Sequence, residues 1–175
     1  MTGCIDSYGA AAVTADELRL AMAQFATGVT VVTSRDRAGA PVGTTANAVT
    51  SLSLDPPLVL VCLGQKSLTL QALGAHGAFA VNVLGEEQRE LCAAFARRGS
   101  DGAWSGVRHH VCSTATPGLS DALATLDCRV DRIYPGGDHE IVIGRVVETR
   151  VQDAGAPLLF HRGAYAGLAA LPRTV

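Results

Sequence analysis

The 175-residue chain has little charge, few aromatic side chains and a single lysine. Asp, Glu, Lys and Arg make up 17% of it, aromatic residues 5%, and Lys66 is the one lysine among 14 basic side chains. With a net charge of -2 there is no basic field to gather a phosphate backbone, so no nucleic acid partner is expected. Long hydrophobic runs are also missing. Arg or Asp breaks every apolar stretch before the roughly 18 residues that a spanning helix needs, so no membrane partner is expected either. The five cysteines, Cys4, Cys62, Cys92, Cys112 and Cys128, are widely spaced and form no CxxC pair. That pattern argues against a disulfide framework or zinc knuckle and for reduced thiols in a cytoplasmic protein. The N-terminal stretch carries Asp6 and no basic residue, unlike a secretory signal, and residues 1–13 are expected to form a flexible arm. The GxSxG, GxxxxGK[ST] and GxGxxG motifs do not occur, so any nucleotide is bound by other means.

What is present is enough apolar sequence, 48% of the chain, for one packed domain over residues 14–175. Thr14 and Glu17 have capping-box spacing, and Leu18, Met22 and Phe25 then recur on one helical face up to Gly28. Residues 29–34 and 41–45 read as a hairpin around the polar turn 35–39. Residues 58–63, apolar on both faces and preceded by Pro56-Pro57, read as a buried central strand. Ser67 is placed to cap a short helix carrying Leu70 and Leu73. A strand over 79–84 and an amphipathic helix over 86–98 follow, the latter using Leu91 and Phe95. Residues 99–116 show no period and read as a partly ordered loop, with Trp104 as a core or interface residue. Two long strands, 123–134 and 139–151, flank the turn 135–138, and a short strand over 158–160 closes the set. Many strands with few helices and no βαβ alternation favour a mostly β protein built as a small barrel.

Three places invite chemistry. The small polar run 43–53 lies between apolar strands, where its groups must find hydrogen-bond partners. It is either a turn satisfied by its own backbone or a wall that a flat, hydrogen-bonding ligand can approach closely, with Asn47 offering donor and acceptor. Lys66-Ser67 at a helix start is either a solvated lysine beside an ordinary cap or an anion site. His139, at a strand start after a glycine turn, is either solvated or projects its imidazole into a cleft. His109, His110 and Cys112 lack the second spaced ligand pair that a structural metal site with His139 would show, so no metal is assigned.

In order along the chain, FATGVTVVTS (25–34), GTTANAVTSLSLDPPLVLVCL (43–63), Lys66-Ser67, FAVNVL (79–84), GDHEIVIGRV (137–146) and PLLFHRGAY (157–165) resemble the flavin reductase-like family. The resemblance runs from about Leu18 to Leu168. It implies a split β-barrel of Greek-key type with a few short flanking helices, usually a homodimer. It implies an NAD(P)H:flavin oxidoreductase that takes NADH or NADPH, reduces FMN or FAD and supplies reduced flavin to a separate monooxygenase component. By the same resemblance Thr44, Thr45, Ala46, Asn47, Ala48, Ser51, Leu52 and Ser53 lie along the flavin, and Cys62, Leu63, Lys66 and Ser67 near its ribityl phosphate. His139 is placed where the nicotinamide stacks, and Arg162 and Tyr165 line the cleft. Relatives commonly read TANS where this chain has Ala48, one hydroxyl fewer for the flavin. A flavin-binding protein without catalysis, or a barrel acting directly on an organic substrate, are the alternatives.

Overall fold

The computed structural model describes residues 13–97 and 103–168. The expected arm therefore lies outside the described residues except for Val13, as do residue 98 of the expected helix and the first part of the 99–116 loop. The elements are α1 (Ala15–Met22), β1 (Thr27–Gly28), β2 (Thr30–Arg35), β3 (Pro41–Ala46), β4 (Val49–Leu54), β5 (Pro57–Gly64), α2 (Leu68–His76), β6 (Ala78–Val83), a 3-10 turn (Glu86–Gln88) and α3 (Arg89–Ala96). They continue with β7 (His109–Val111), β8 (Pro117–Leu119), β9 (Ala124–Gly136), β10 (His139–Val151), β11 (Leu159–His161) and β12 (Ala164–Ala166).

Seven strands form an antiparallel sheet in the order β3-β2-β6-β9-β10-β5-β4. Its two edge strands, β3 and β4, are consecutive in sequence and joined only by Asn47 and Ala48. Three peptide units reach at most about 11 Å, so the sheet has to roll until its edges meet. The backbone N–H of Cys62 donates to the Ala48 carbonyl at 2.9 Å, which extends the β4–β5 pairing into the link, while no ladder joins β3 to β4. The result is an open barrel, the split barrel that the sequence led us to expect.

The strand period sorts the core. On β2, Val32 points to an interior cluster with Val61, Leu63, Phe79, Val81 and Val142, which α2 covers with Leu70 and Leu73. Val29 and Val31 point the other way, to a cluster with Leu84, Cys92, Phe95, Leu119 and Leu158 beneath α3. At Gly144 the barrel wall needs glycine, because a Cβ there would lie 2.4 Å from the Phe79 ring. Asn82, fully buried on β6, ties the layers together: Nδ2 donates to the Val31 carbonyl (2.9 Å) and Thr33 Oγ1 (3.1 Å), and Oδ1 accepts from Leu119 N–H (2.8 Å) and Thr125 Oγ1 (3.2 Å).

Several expectations need correction. Residues 58–63 are not central: β5 is the second strand from the edge, with alternating burial, and the middle position belongs to β9, flanked by β6 and β10. Residues 43–53 are no turn but two strands, the second of which pairs with β5. The expected four-residue turn at 135–138 tightens to Gly137-Asp138, since Pro135 and Gly136 still pair in β9. Gly137 holds φ +73°, the region where a two-residue hairpin favours glycine. The helix 86–98 splits into the 3-10 turn and α3. The segment 103–116 is more ordered than expected. The buried Asp127 carboxylate accepts from Ser113 Oγ (2.7 Å), Thr114 N–H (2.9 Å), Thr114 Oγ1 (2.5 Å) and Thr116 Oγ1 (3.0 Å), and pins the turn that joins β7 to β8. Trp104 packs edge-on against Phe95 with centroids 5.1 Å apart, as a core residue. The capping box at Thr14 and Glu17 is present, yet no side chain of α1 is buried, and Leu18, Met22 and Phe25 remain more than half exposed. No helix among the described residues is long and apolar enough to cross a membrane.

Candidate functional site

The seam of the barrel is also where the candidate residues meet. A cavity of about 170 Å³ is lined by Thr44, Thr45, Ala46, Asn47, Ala48, Cys62, Leu63, Gly64, Ser67 and His139. All but Gly64 had been singled out from the sequence. They come from the end of β3, the 47–48 link, the end of β5, the start of α2 and the start of β10. Strand pairing accounts for the meeting: β10 runs antiparallel to β5 with His139 opposite Gly64, so the imidazole arrives at the strand end that leads into α2.

The α2 start is a donor site. Ser67 takes the N-cap position, its Oγ accepting from Leu70 N–H at 3.4 Å, which leaves its own O–H to donate outward. The first helical bond runs from Gln71 N–H to the Ser67 carbonyl at 3.2 Å, so the amides of Leu68 and Thr69 are among the orphan donors of a helix N-terminus. No acidic side chain stands in this first turn. Lys66 is exposed one residue earlier and adds a positive charge. It does not itself line the cavity.

On the other side, His139 is about half exposed, and its Nδ1 lies 2.7 Å from the Asp138 carboxylate. Hydrogen bonding and attraction to the imidazole hold the Asp138 carboxyl below its usual range. With Asp138 ionised, Nδ1 carries the proton, so Nε2 is a lone pair on the neutral ring and a second donor on the charged one. The 44–48 wall offers mainly backbone and small side chains. Thr45 Oγ1 donates to the Cys92 carbonyl at 2.8 Å, and its proton is thereby spent on α3. The Ala46 side chain is packed in the interior core.

Other candidates lie elsewhere. Ser51 and Ser53 line a neighbouring apolar cleft of about 630 Å³, formed with Phe25, Leu58, Val81, Val83, Leu126 and Val146 among others; Asn47 borders both spaces. Leu52 lines neither and is 45% exposed. Arg162 and Tyr165 do not line the 170 Å³ cavity, contrary to expectation. Arg162 clamps the end of α1: its N–H donates to the Ala23 carbonyl (3.0 Å) and its guanidinium to Gln24 Oε1 (2.8 and 2.5 Å). Tyr165 meets the buried Cys92 thiol at 3.0 Å, and that bond, with burial, pushes its phenol up to about 12. Both roles depend on partners distant in sequence, which no local motif announces. Gly64 was also missed; the strand-end position directly before Gln65-Lys66 was its only signal. His109 and His110 sit on β7, in a different sheet from His139.

The residues present suit a phosphorylated, flat-ringed ligand: a backbone wall of small residues at the seam, helix-start donors beside a lysine, and an oriented imidazole opposite. Comparison with known proteins points the same way. Residues 22–169 match the family model described as flavin reductase like domain. A probable flavin reductase of Rhizobium meliloti (strain 1021) is 44% identical over 149 residues, 85% of this chain and 47% of that protein, so the chain spans about half of that relative's length. The flavin-dependent monooxygenase reductase subunit HsaB of Rhodococcus jostii (strain RHA1) is 39% identical over 93% of this chain and 82% of its own. Among solved structures, the NADH:FAD oxidoreductase SgcE6 of Streptomyces globisporus C-1027, in complex with NAD and FAD fragments, superposes with a TM-score of 0.82 at 37% identity, covering 88% of this chain and 92% of that one. With the family model spanning most of its length and the same barrel in its structural relatives, this chain belongs to the flavin reductase-like family.

Proposed function

We propose that the protein is an NAD(P)H:flavin oxidoreductase that reduces FMN or FAD and hands the reduced flavin to a separate monooxygenase component. The observation that carries this reading is the cavity at the barrel seam, where the α2 start and His139 flank the small-residue wall of β3 and β5. Bound flavin would supply the hydride-accepting ring and the nicotinamide the donor, so the chain needs no acid, base or covalent nucleophile of its own. Its residues have a positioning task. Ser67, the Leu68 and Thr69 amides and Lys66 hold the phosphate end, since orphan amides, the helix dipole and the ammonium all favour negative charge. The backbone of 44–48 and the side chain of Asn47 meet the ring edge, and Cys62, Leu63 and Gly64 form the floor. His139, oriented by Asp138, meets the nicotinamide nucleotide through Nε2. Holding two rings at reacting distance removes the entropic cost of their encounter, a large share of the barrier.

The relatives' names support these assignments: one is a monooxygenase reductase subunit, and another is an NADH:FAD oxidoreductase. NADH is accordingly the expected donor. A homodimer is part of the same proposal. The exposed apolar face of α1 continues through Phe25 into the 630 Å³ cleft, with Leu54 89% exposed at its rim, and a second copy would remove this surface from water. The four cysteines among the described residues, Cys62, Cys92, Cys112 and Cys128, are free thiols, which fits a cytoplasmic location. The functional test is NADH consumption followed at the nicotinamide absorbance band with and without added flavin. Acceleration only with flavin supports the reading; flavin binding without acceleration by either nicotinamide makes the protein a flavin carrier. Light scattering that returns twice the chain mass supports the dimer, and a single chain mass removes it.

A further inference from the structure

We infer that Gln65 is a positioning residue that docks the β9–β10 hairpin, and with it His139, onto the loop carrying Lys66 and Ser67, and so sets the nicotinamide side of the cavity against its phosphate side. The inference rests on the proposed function for the identity of the two sides. Its structural basis is independent of that.

The ladder between β10 and β5 ends at the pair His139 and Gly64. One residue further on, Gln65 continues the contact by different means. Its backbone N–H donates to the Asp138 carbonyl at 3.1 Å. Its side-chain Nε2 donates to the Gly137 carbonyl at 3.0 Å and to the Glu140 carboxylate at 3.3 Å. These acceptors bracket His139: two precede it in the turn and one follows it on β10. A primary amide has two N–H donors, and both are used here. On its other side Gln65 is bonded to Lys66, and Ser67 N–H returns to the Gly64 carbonyl at 2.9 Å, so the residue sits inside the tight turn that launches α2. A displacement of the hairpin tip is thus resisted by the turn that presents the anion donors.

The chemistry of the position is specific. Glutamate has the same shape but no side-chain N–H, and it would place a second carboxylate beside Glu140. Alanine keeps the backbone bond and loses both side-chain bonds. Neither change touches the cavity, because Gln65 does not line it.

The test compares Q65A, Q65E, H139A and the double variant Q65A/H139A with the wild-type protein. The readouts are NADH dependence of turnover, riboflavin and FMN titrations, and hydrogen exchange across residues 137–140. Q65A is expected to raise KM for NADH about threefold to tenfold, as for the loss of roughly one net hydrogen bond, with kcat and both flavin affinities within about twofold of wild type. Q65E should exceed Q65A. In the H139A background Q65A should add less than about twofold, because it acts through the imidazole. Exchange at 137–140 should quicken in Q65A while the melting temperature holds. If H139A raises KM and Q65A does not, or if the two effects multiply, Gln65 does not position His139. If the wild type shows no flavin-dependent NADH oxidation the functional reading has failed instead, and if H139A is silent the role given to His139 has; in either case exchange alone decides, and unchanged exchange in Q65A overturns the anchoring as well.

Discussion

The imidazole of His139 stands over Gly64, its Nε2 3.9 Å from the place a Cβ on residue 64 would occupy, with the two residues paired directly across β10 and β5. Asp138 holds the opposite nitrogen at 2.7 Å. The ring is therefore oriented from one side and given room from the other. His139→Ala is expected to weaken the nicotinamide step by about 1 to 3 kcal/mol, the range for removal of one hydrogen-bond partner, and to leave flavin affinity nearly unchanged. Stopped-flow reduction at varied NADH, beside a flavin titration of the same variant, checks both halves. An unchanged NADH dependence in a folded variant removes His139 from the site.

The anion site proposed at α2 should separate FMN from riboflavin. In that proposal Ser67 and the amides of Leu68 and Thr69 serve the phosphate only, and Lys66 adds its charge. Changing Lys66 and Ser67 together to Ala should raise the FMN dissociation constant roughly tenfold to a hundredfold, the worth of a charge-assisted hydrogen bond of about 1.5 to 3 kcal/mol, and change that of riboflavin far less. Fluorescence titrations of both flavins measure this. Equal losses would place the phosphate elsewhere.

Much of this site was legible in the sequence because its parts are local. Ser67 is a cap with the helix directly behind it, His139 follows a glycine turn, and the small polar run 44–48 is continuous. Where reading failed, the cause was tertiary. β4, with the sequence VTSLSL, is an exposed edge strand whose serines and threonines mimic a loop, and only its ladder to β5 makes it a strand. β8 contains Pro117 and Gly118 and forms because it pairs with β7 beside the pinned 113–116 turn. Arg162 finds Gln24 across 138 residues of chain, and Tyr165 finds Cys92 across 73. The helix expected up to Gly28 ends at Met22, so Phe25 lies beyond α1 and Thr27–Gly28 form β1, and the described chain buries none of the α1 face. The hydrophobic period identifies a face without naming what covers it.

Alkali should unfold the protein through its buried thiol. Cys128 is fully buried between β6 and β10, and burial raises its thiol from an ordinary value of 9.0 to about 12. The folded state therefore keeps a proton that the unfolded chain gives up. The resulting stability is complete below about pH 9 and is lost as pH rises toward 12, by at most about 1.4 kcal/mol per pH unit. The Tyr165 phenol acts with the same sign from about pH 10. Melting temperature measured between pH 8 and 11 should fall in the wild-type protein and fall less steeply in Cys128→Ala, which begins lower because of the lost packing. Parallel curves would show that Cys128 does not titrate in this way.

Asn82 should be among the most sensitive positions in the barrel wall. All four of its side-chain hydrogen bonds are made in a fully buried setting. Asn82→Ala leaves the Leu119 N–H and the Val31 carbonyl without their side-chain partner and opens a void, at a cost of about 3 kcal/mol or more. Urea denaturation gives the value directly. A loss below about 1 kcal/mol would mean that neighbouring groups or water take over these bonds.

The most direct measurement is a single turnover under anaerobic conditions, with enzyme, one equivalent of flavin and NADH mixed rapidly while both absorbance bands are followed. Loss of the nicotinamide band in step with bleaching of the flavin, one for one, and much faster than in the same mixture without protein, is the expected result. Bleaching no faster than the protein-free rate, with the flavin demonstrably bound, would contradict the assignment of the seam cavity as a site for hydride transfer.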